Sequence, residues 1–265
     1  MQNRPIGILD SGVGGLTVWK EIAELLPQES TVYIGDSYNS PYGRYTADKI
    51  HELAKKLIKF LISKDAKIIV IACNSITVSC LDKLREEFPQ VPIVGTVPVV
   101  KTAARITKNK RIGILSTTNT AKSEYQKKLI EQFAHDCSVF SHGTDDLVPL
   151  IEKGELSGVT VGRILNKVLS QFKDEGVDTL ALGCTHYPFV SWQIKDIIGK
   201  NITLLDSGTA IARQVKRVLE KNNSMTQESK SKYEFFTTGA VENFQKVANT
   251  LGKGTITKKV KNIAL

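Results

Sequence analysis

The sequence predicts an α/β protein of two pseudo-symmetric lobes with mainly parallel sheets and a site in the cleft between them. Three observations carry this. Short apolar runs rich in Ile and Val alternate with amphipathic segments of helical period, the pattern of parallel strands joined by covering helices. The tetrapeptide Ile6-Gly7-Ile8-Leu9 returns as Ile112-Gly113-Ile114-Leu115, an offset of 106 positions. Downstream of each copy a later apolar run ends in a cysteine, Ile69-Val70-Ile71-Ala72-Cys73 and Leu180-Ala181-Leu182-Gly183-Cys184, at an offset of 111. Two ordered matches at similar spacing indicate one αβ unit used twice. A chain of 265 residues gives each copy enough length to bury its own core.

Taken in order, residues 6–9 form the first strand and stop at the polar turn Asp10-Ser11. Residues 31–35, with Val, Tyr and Ile, form the second. The stretch 47–63 has helical period, and residues 67–72 follow as a strand that is apolar from Ile68 onward. Residues 92–95, 111–115 and 137–140 are the next three strands, and 160–172 is a second amphipathic helix. Strands at 179–182, 203–205 and 233–237 complete the set. The Asn-, Ser-, Gln- and Lys-rich stretch 222–232 reads as a surface loop ahead of the last strand.

Composition excludes several functions. No apolar run approaches the roughly 18 residues of a membrane span, so a soluble protein is expected. The first residues lack the apolar core and cleavage site of an export signal, and four cysteines without C-x-x-C spacing suggest free thiols; the cytoplasm is the expected compartment. The net charge of +9 raises a nucleic-acid reading, with Lys253, Lys258, Lys259 and Lys261 as its nearest cluster, but no aromatic residues interleave with these lysines to form a stacking platform. Solubility, and a field that draws in a small anionic substrate, explain the charge better. The turn Gly12-Val13-Gly14-Gly15 fails the dinucleotide pattern because Thr17 holds the third glycine position, and no phosphate-binding P-loop motif occurs. Cys73 and Cys80 are too far apart for a metal knuckle, and Cys184 with His186 supplies only two ligands. Neither a metal nor a bound nucleotide is expected from these motifs.

Ligands of open α/β sheets bind beyond the carboxyl ends of strands, where Asp10-Ser11, Cys73-Asn74-Ser75, Ser116-Thr117 and Cys184-Thr185-His186 all fall. A helix start after each cysteine would bind carboxylates and lower the thiol from its reference of about 8.5, allowing proton exchange near neutrality. Inverting a stereocentre by deprotonation needs a base on one face of the α-carbon and an acid on the other, so two similar groups in mirrored positions suit it. Asp10 in one half, and Glu152 or His186 in the other, are available to tune or relay protons. Cys80 and Cys137 read as small core residues, and His51, His135 and His142 as structural or exposed.

The residues Asp10-Ser11-Gly12-Val13-Gly14-Gly15-Leu16-Thr17, Gly35-Asp36 with Pro41-Tyr42-Gly43, Ala72-Cys73-Asn74, Val148-Pro149-Leu150-Ile151-Glu152, Gly183-Cys184-Thr185-His186-Tyr187-Pro188 and Asp206-Ser207 stand in the order found in glutamate racemases. The chain thus resembles that family, within the aspartate/glutamate racemase group, across nearly its whole length. The resemblance implies two facing α/β lobes, residues 1–97 with 208–265 carrying Cys73 and residues 98–207 carrying Cys184. It implies a cofactor-independent racemase that supplies D-glutamate for peptidoglycan, with Cys73 and Cys184 as the acid/base pair and Asp10, Glu152 and His186 assisting. Substrate contacts are implied at Asp10, Ser11, Tyr42, Gly43, Asn74, Ser75, Thr117, Thr120, Thr185 and His186. Family members are often dimers, so a homodimer is expected, without nucleic-acid or membrane partners. The chain departs from the family at Ser75, usually Thr, at Asn119, usually Gly, and at Thr144-Asp145, where Cys-Pro is common; the last two bear on the second lobe's loops. Rival readings are a thiol redox pair, aspartate racemization on the same scaffold, and a non-catalytic amino-acid-binding or gyrase-binding homologue.

Overall fold

A computed structural model describes residues 2–96, 99–251 and 260–265. The elements run β1 (Ile6–Asp10), α1 (Leu16–Leu25), β2 (Thr31–Gly35), α2 (Ala47–Ser63), β3 (Ile68–Ile71), α3 (Asn74–Glu87), β4 (Ile93–Val94) and α4 (Val99–Ile106). They continue with β5 (Arg111–Ser116), α5 (Thr118–Lys122), α6 (Glu124–Phe133), β6 (Ser138–Gly143), α7 (Leu147–Glu152), α8 (Val159–Asp174), β7 (Thr179–Gly183), α9 (Ser191–Ile198) and β8 (Thr203–Leu205). The chain closes with α10 (Gly208–Lys221), β9 (Tyr233–Thr237), α11 (Val241–Ala248) and β10 (Lys261–Asn262). Short 3₁₀ turns lie at Tyr42–Arg44, Tyr187–Val190 and Asn249–Leu251.

Two sheets result. One has six strands in the order β10-β9-β2-β1-β3-β4 and the other four in the order β6-β5-β7-β8, and every pairing is parallel. Within the larger sheet, β2-β1-β3-β4 has the same winding as β6-β5-β7-β8, so the repeat seen in the letters is a repeat of topology. The register agrees. Leu9 pairs with Ile71 and its counterpart Leu115 pairs with Leu182.

The apolar runs are strands because both faces are covered. Alternate residues of β1 and β3 divide between two cores: Ile6, Ile8, Ile68 and Val70 face one side, Leu9, Ile69 and Ile71 the other. On the first side Trp19 of α1 meets Tyr233 and Phe235 edge-on and donates from Nε1 to Thr31 Oγ1. On the second side α2 buries Ile50, Leu53, Ala54, Leu57, Ile58 and Leu61, one stripe of its helix. Thr46 starts α2, its side chain accepting from Lys49 N, and Ser123 does the same for α6 through Gln126 N. The first core runs on into the second sheet's helices, including Leu147, Ile151, Leu165 and Phe172, which packs the two halves together.

All nine expected strands are present, three of them (β2, β8 and β9) with the expected bounds and the other six with an end shifted by one to three residues. The tenth, β10, has no sequence counterpart because two residues are too few to show a period; it is held by pairing with β9. Residues 222–232 are a loop, tied down where Thr226 N donates to Glu29 Oε1. Cys137 precedes β6 and is half-buried, packed on the rim of the second sheet's core with its thiol against Asp136. Lys253, Lys258 and Lys259 lie outside the described residues, and Lys261 pairs with Glu234. No helix among the described residues is long and apolar enough to cross a membrane.

Candidate active site

The carboxyl ends of β1 and β3 in one sheet, and of β5 and β7 in the other, face a common polar cleft. The space between them is tight, and it is walled by Ser11, Tyr42, Gly43, Cys73, Asn74 and Ser75 from the first sheet's side and by Thr117, Gly183, Cys184, Thr185 and His186 from the second, together with Pro41 and Val148. Both cysteines therefore reach one cavity from opposite sides. Pro41, Val148 and Gly183 are walls that side-chain chemistry did not announce, because they contribute shape and backbone only.

On the first side, Cys73 is buried and its thiol donates to Ser11 Oγ at 3.4 Å. Cys73 caps α3, and the backbone of Ile76 favours its thiolate, but burial outweighs this and, with the nearby Asp10 charge, pushes the thiol up to about 12. The expectation of a lowered thiol fails here for that reason. Asp10 lies behind the cavity wall. It is fully buried, accepting from Gly12 N at 3.1 Å and from Thr185 Oγ1 at 3.1 Å, and burial raises its carboxyl to about 6.

On the second side, Cys184 Sγ lies 3.8 Å from His186 Nδ1, and His186 Nε2 lies 2.6 Å from Glu152 Oε1. Burial opposes the charged imidazole, but its bonds to Cys184 and Glu152 overcome this and hold His186 well above the usual histidine range. Glu152 Oε1 also accepts from Val13 N at 2.8 Å, so the relay is anchored to the glycine turn after β1. That turn needs its glycines. A Cβ on Gly12 would strike the Glu152 carboxylate, and one on Gly14 would strike His186 Nδ1 and Thr185 Oγ1. The helix expected after Cys184 is instead the 3₁₀ turn Tyr187–Val190 with Pro188 in it, followed by α9.

The remaining predicted contacts divide. Ser75 Oγ and Thr117 Oγ1 sit 3.4 Å apart across the cleft, and the Asn74 side-chain oxygen is buried without a hydrogen-bond partner among the described residues. Thr120 stands one step back, its Oγ1 accepting from Thr117 at 3.0 Å. The Tyr42 hydroxyl is spent on Asp36 at 2.6 Å, so the ring and backbone, not the hydroxyl, face the cavity. The departures at 144–145 are built in: Thr144 O accepts from Tyr187 OH at 2.7 Å, and Asp145 Oδ1 accepts from Thr118 N at 3.2 Å, next to Asn119. His51 and His142 pair with Glu87 and Glu175, away from the cleft. Among the described residues no three His, Cys, Asp or Glu are placed to hold a metal ion.

Two parallel α/β halves that meet at a cleft with a thiol from each suit proton transfer to and from both faces of one carbon, the chemistry of an isomerase. Residues 6–215 match the Asp/Glu/Hydantoin racemase family. The chain is 40% identical to a glutamate racemase of Pseudomonas paraeruginosa over 93% of both chains, and 39% identical to one of Clostridium perfringens over 88% of this chain and 89% of the relative. Among solved structures it superposes on a glutamate racemase isoform from Bacillus anthracis with a TM-score of 0.89 at 30% identity, covering 100% of this chain and 98% of the other. A Francisella tularensis glutamate racemase in complex with D-glutamate gives a TM-score of 0.87 at 30% identity, again covering 100% and 98%. The chain belongs to the Asp/Glu/Hydantoin racemase family, and it is an amino-acid racemase.

Proposed function

We propose that the protein interconverts L- and D-glutamate by proton transfer at Cα between two thiols, Cys73 and Cys184, without a cofactor. The single observation that carries this is the opposition of the two cysteines across one cavity. One thiolate removes the α-proton from one face while the other thiol delivers a proton to the opposite face, and the roles exchange in the reverse direction. The His186 imidazolium, held by Glu152, is the counter-ion for a thiolate at Cys184. Burial, reinforced by the Asp10 charge, disfavours a thiolate at Cys73, which favours that residue as a proton donor. Asn74, Ser75, Thr117 and Thr185, with the backbone at Ser11 and Gly43, offer short polar groups for two carboxylates. Among the described residues none of those lining the cavity is a lysine, so no side chain there suits an imine-forming cofactor.

The choice of glutamate over aspartate rests on the relatives, since one methylene in a pocket is worth only about 1–3 kcal/mol. The same reading takes D-glutamate to peptidoglycan assembly in the cytoplasm and the protein to a homodimer. It divides the lobes at residues 1–97 with 208–265 and residues 98–207, a division that follows sheet membership and the bond from Thr209 Oγ1 in α10 to Glu21 in α1. The deciding experiment incubates each enantiomer of glutamate and aspartate with the apoprotein in D₂O, alongside Cys73→Ala and Cys184→Ala. Deuterium at Cα with inversion of glutamate, lost in both variants, is expected. Racemization that survives removal of one thiol would sink the two-thiol mechanism, and faster turnover of aspartate would overturn the substrate.

A further inference from the structure

Asp36 lies outside the cavity wall yet is almost fully buried, and its two carboxylate oxygens collect hydrogen bonds from three side chains. The Tyr42 hydroxyl donates to Oδ2 at 2.6 Å, the Thr238 hydroxyl donates to Oδ1 at 2.6 Å, and Asn39 Nδ2 donates to both at 3.1 and 3.0 Å. Thr238 in turn accepts from Tyr38 N at 3.1 Å, and its own N–H donates to Gly35 O at 3.1 Å. The loop between β2 and α2 is thereby fastened at Asp36 to the residue just past β9. Tyr42 is where this fastening meets the site. Its ring is buried in the same apolar cluster as Cys73, and burial beside Asp36 keeps its hydroxyl a neutral donor. Gly43, the next residue, packs against Thr117 and Asp145 of the opposite half, where a Cβ would come within 3.1 and 3.2 Å. Moving Tyr42 would therefore move both the wall beside Cys73 and a seam between the halves.

We propose that Asp36 is a positioning residue, which through the Tyr42 hydroxyl and with Thr238 as its anchor holds the Tyr42-Gly43 edge of the substrate cavity against Cys73. The substrate part of this inference rests on the two-thiol reading of the site; the geometric part does not. Two readouts separate them. The first is alkylation of the folded protein by iodoacetamide, followed at Cys73 and Cys184 individually by mass spectrometry, in wild type, Asp36→Ala, Asp36→Asn, Tyr42→Phe and Thr238→Val. The second is the KM and kcat for glutamate of the same proteins and of the Asp36→Ala/Tyr42→Phe double variant.

The expected result is faster alkylation of Cys73, by about tenfold or more, in Asp36→Ala and Tyr42→Phe, with Cys184 unchanged and Asp36→Asn closer to wild type. KM should rise about ten- to hundredfold with a smaller change in kcat, the worth of one hydrogen bond to a charged group. The double variant should be no worse than Asp36→Ala alone, because both changes cut one connection. Equal acceleration at both cysteines would mark general loosening and overturn the proposal, as would a Tyr42→Phe variant indistinguishable from wild type or single effects that multiply in the double. A wild type without glutamate turnover would instead overturn the functional reading, leaving the alkylation pattern to decide the role of Asp36.

Discussion

Replacing Glu152 by Gln tests the relay behind Cys184 with little change of shape. The amide oxygen can still accept from Val13 N, which holds the position of the side chain, so the substitution mainly deletes the charge facing His186 Nε2 at 2.6 Å. That pair is well shielded, with side-chain exposures of 2% for His186 and 12% for Glu152. A hydrogen bond to a charged group in such a place is worth about 1.5–3 kcal/mol. If the imidazolium stabilises charge on Cys184 in the transition state, kcat/KM should fall by about one to two orders of magnitude. L- and D-glutamate are enantiomers of equal free energy, so kcat/KM must fall equally in the two directions, and any asymmetry can appear only in kcat and KM separately.

The pH profile gives the sharper test. His186 has its proton held on by Cys184 and Glu152 against the effect of burial, so in wild type the form with a charged imidazole persists well above the usual histidine range and is lost only as pH rises through that raised value. Without the Glu152 charge, burial is opposed by Cys184 alone, and the alkaline limb of kcat/KM should move to lower pH. Circular dichroism at fixed wavelength follows racemization from either enantiomer between pH 6 and 10. An unmoved alkaline limb together with wild-type kcat/KM would refute the assignment of His186 and Glu152 to proton management.

Three further outcomes follow from the same geometry. Asp10→Asn should raise thermal stability more at pH 8 than at pH 5 while lowering activity. The carboxyl, raised from 3.8 to about 6, favours the folded state below its ordinary value, and that advantage is lost as pH rises through 6, leaving a cost of about 3 kcal/mol to the ionised form; an equal difference at both pH values would contradict this. Gly14→Ala should cut kcat/KM by about a hundredfold by displacing His186 and Thr185, whereas Gly162→Ala, where a Cβ meets nothing within 4 Å, should leave it unchanged; similar values for both would show that the turn does not set the relay. Lys67→Met strands Glu29, 1% exposed and paired with Lys67 at 2.6 Å, and should cost about 3–5 kcal/mol in urea unfolding. Adding Glu29→Leu should recover part of that loss, and no recovery would mean that packing rather than the orphaned charge is responsible.

Much of the frame was legible because it is local. Ile/Val runs become strands wherever helices cover both faces, and the cysteine turns lie at strand ends that the repeat had already paired. What escaped depends on distance along the chain or on burial. Glu152 meets Val13 across 139 positions and Asp36 meets Thr238 across 202, contacts that leave no periodic trace in the letters. Asp36 stands in the Gly35-Asp36 motif, yet its partner Thr238 follows a strand far downstream, so its service to Tyr42 could not be read from spacing. The helix start after Cys73 is visible in the sequence, but the desolvation that raises its thiol is not. Pro188 was visible, but a turn of 3₁₀ helix in place of an α-helix start depends on how the chain leaves β7.

The repeat also shows where the two halves have stopped being equivalent. Shifted by 106 positions, Asp10-Ser11 corresponds to Ser116-Thr117; shifted by 111, Cys73-Asn74-Ser75 corresponds to Cys184-Thr185-His186. The thiols coincide and their supporting groups do not. A carboxylate stands behind Cys73 where the other half has the buried Ser116, and an imidazole stands beside Cys184 where the first half has Ser75. Each supporting group also bonds across the cleft, Asp10 to Thr185 and Glu152 to Val13, so each half tunes itself through the other. On the proposed mechanism this asymmetry has a purpose. Two thiols with identical surroundings would share their protons indifferently and the resting enzyme would be a mixture of loaded and unloaded forms. Burial and the Asp10 charge keep the proton on Cys73, whereas the His186-Glu152 pair stands beside Cys184, so the two sides handle the proton differently. Equal free energies of the two products do not require equal acids. They require only that the proton be restored after each inversion, and the His186-Glu152 relay, with one side chain still 12% exposed, lies where that exchange would reach solvent.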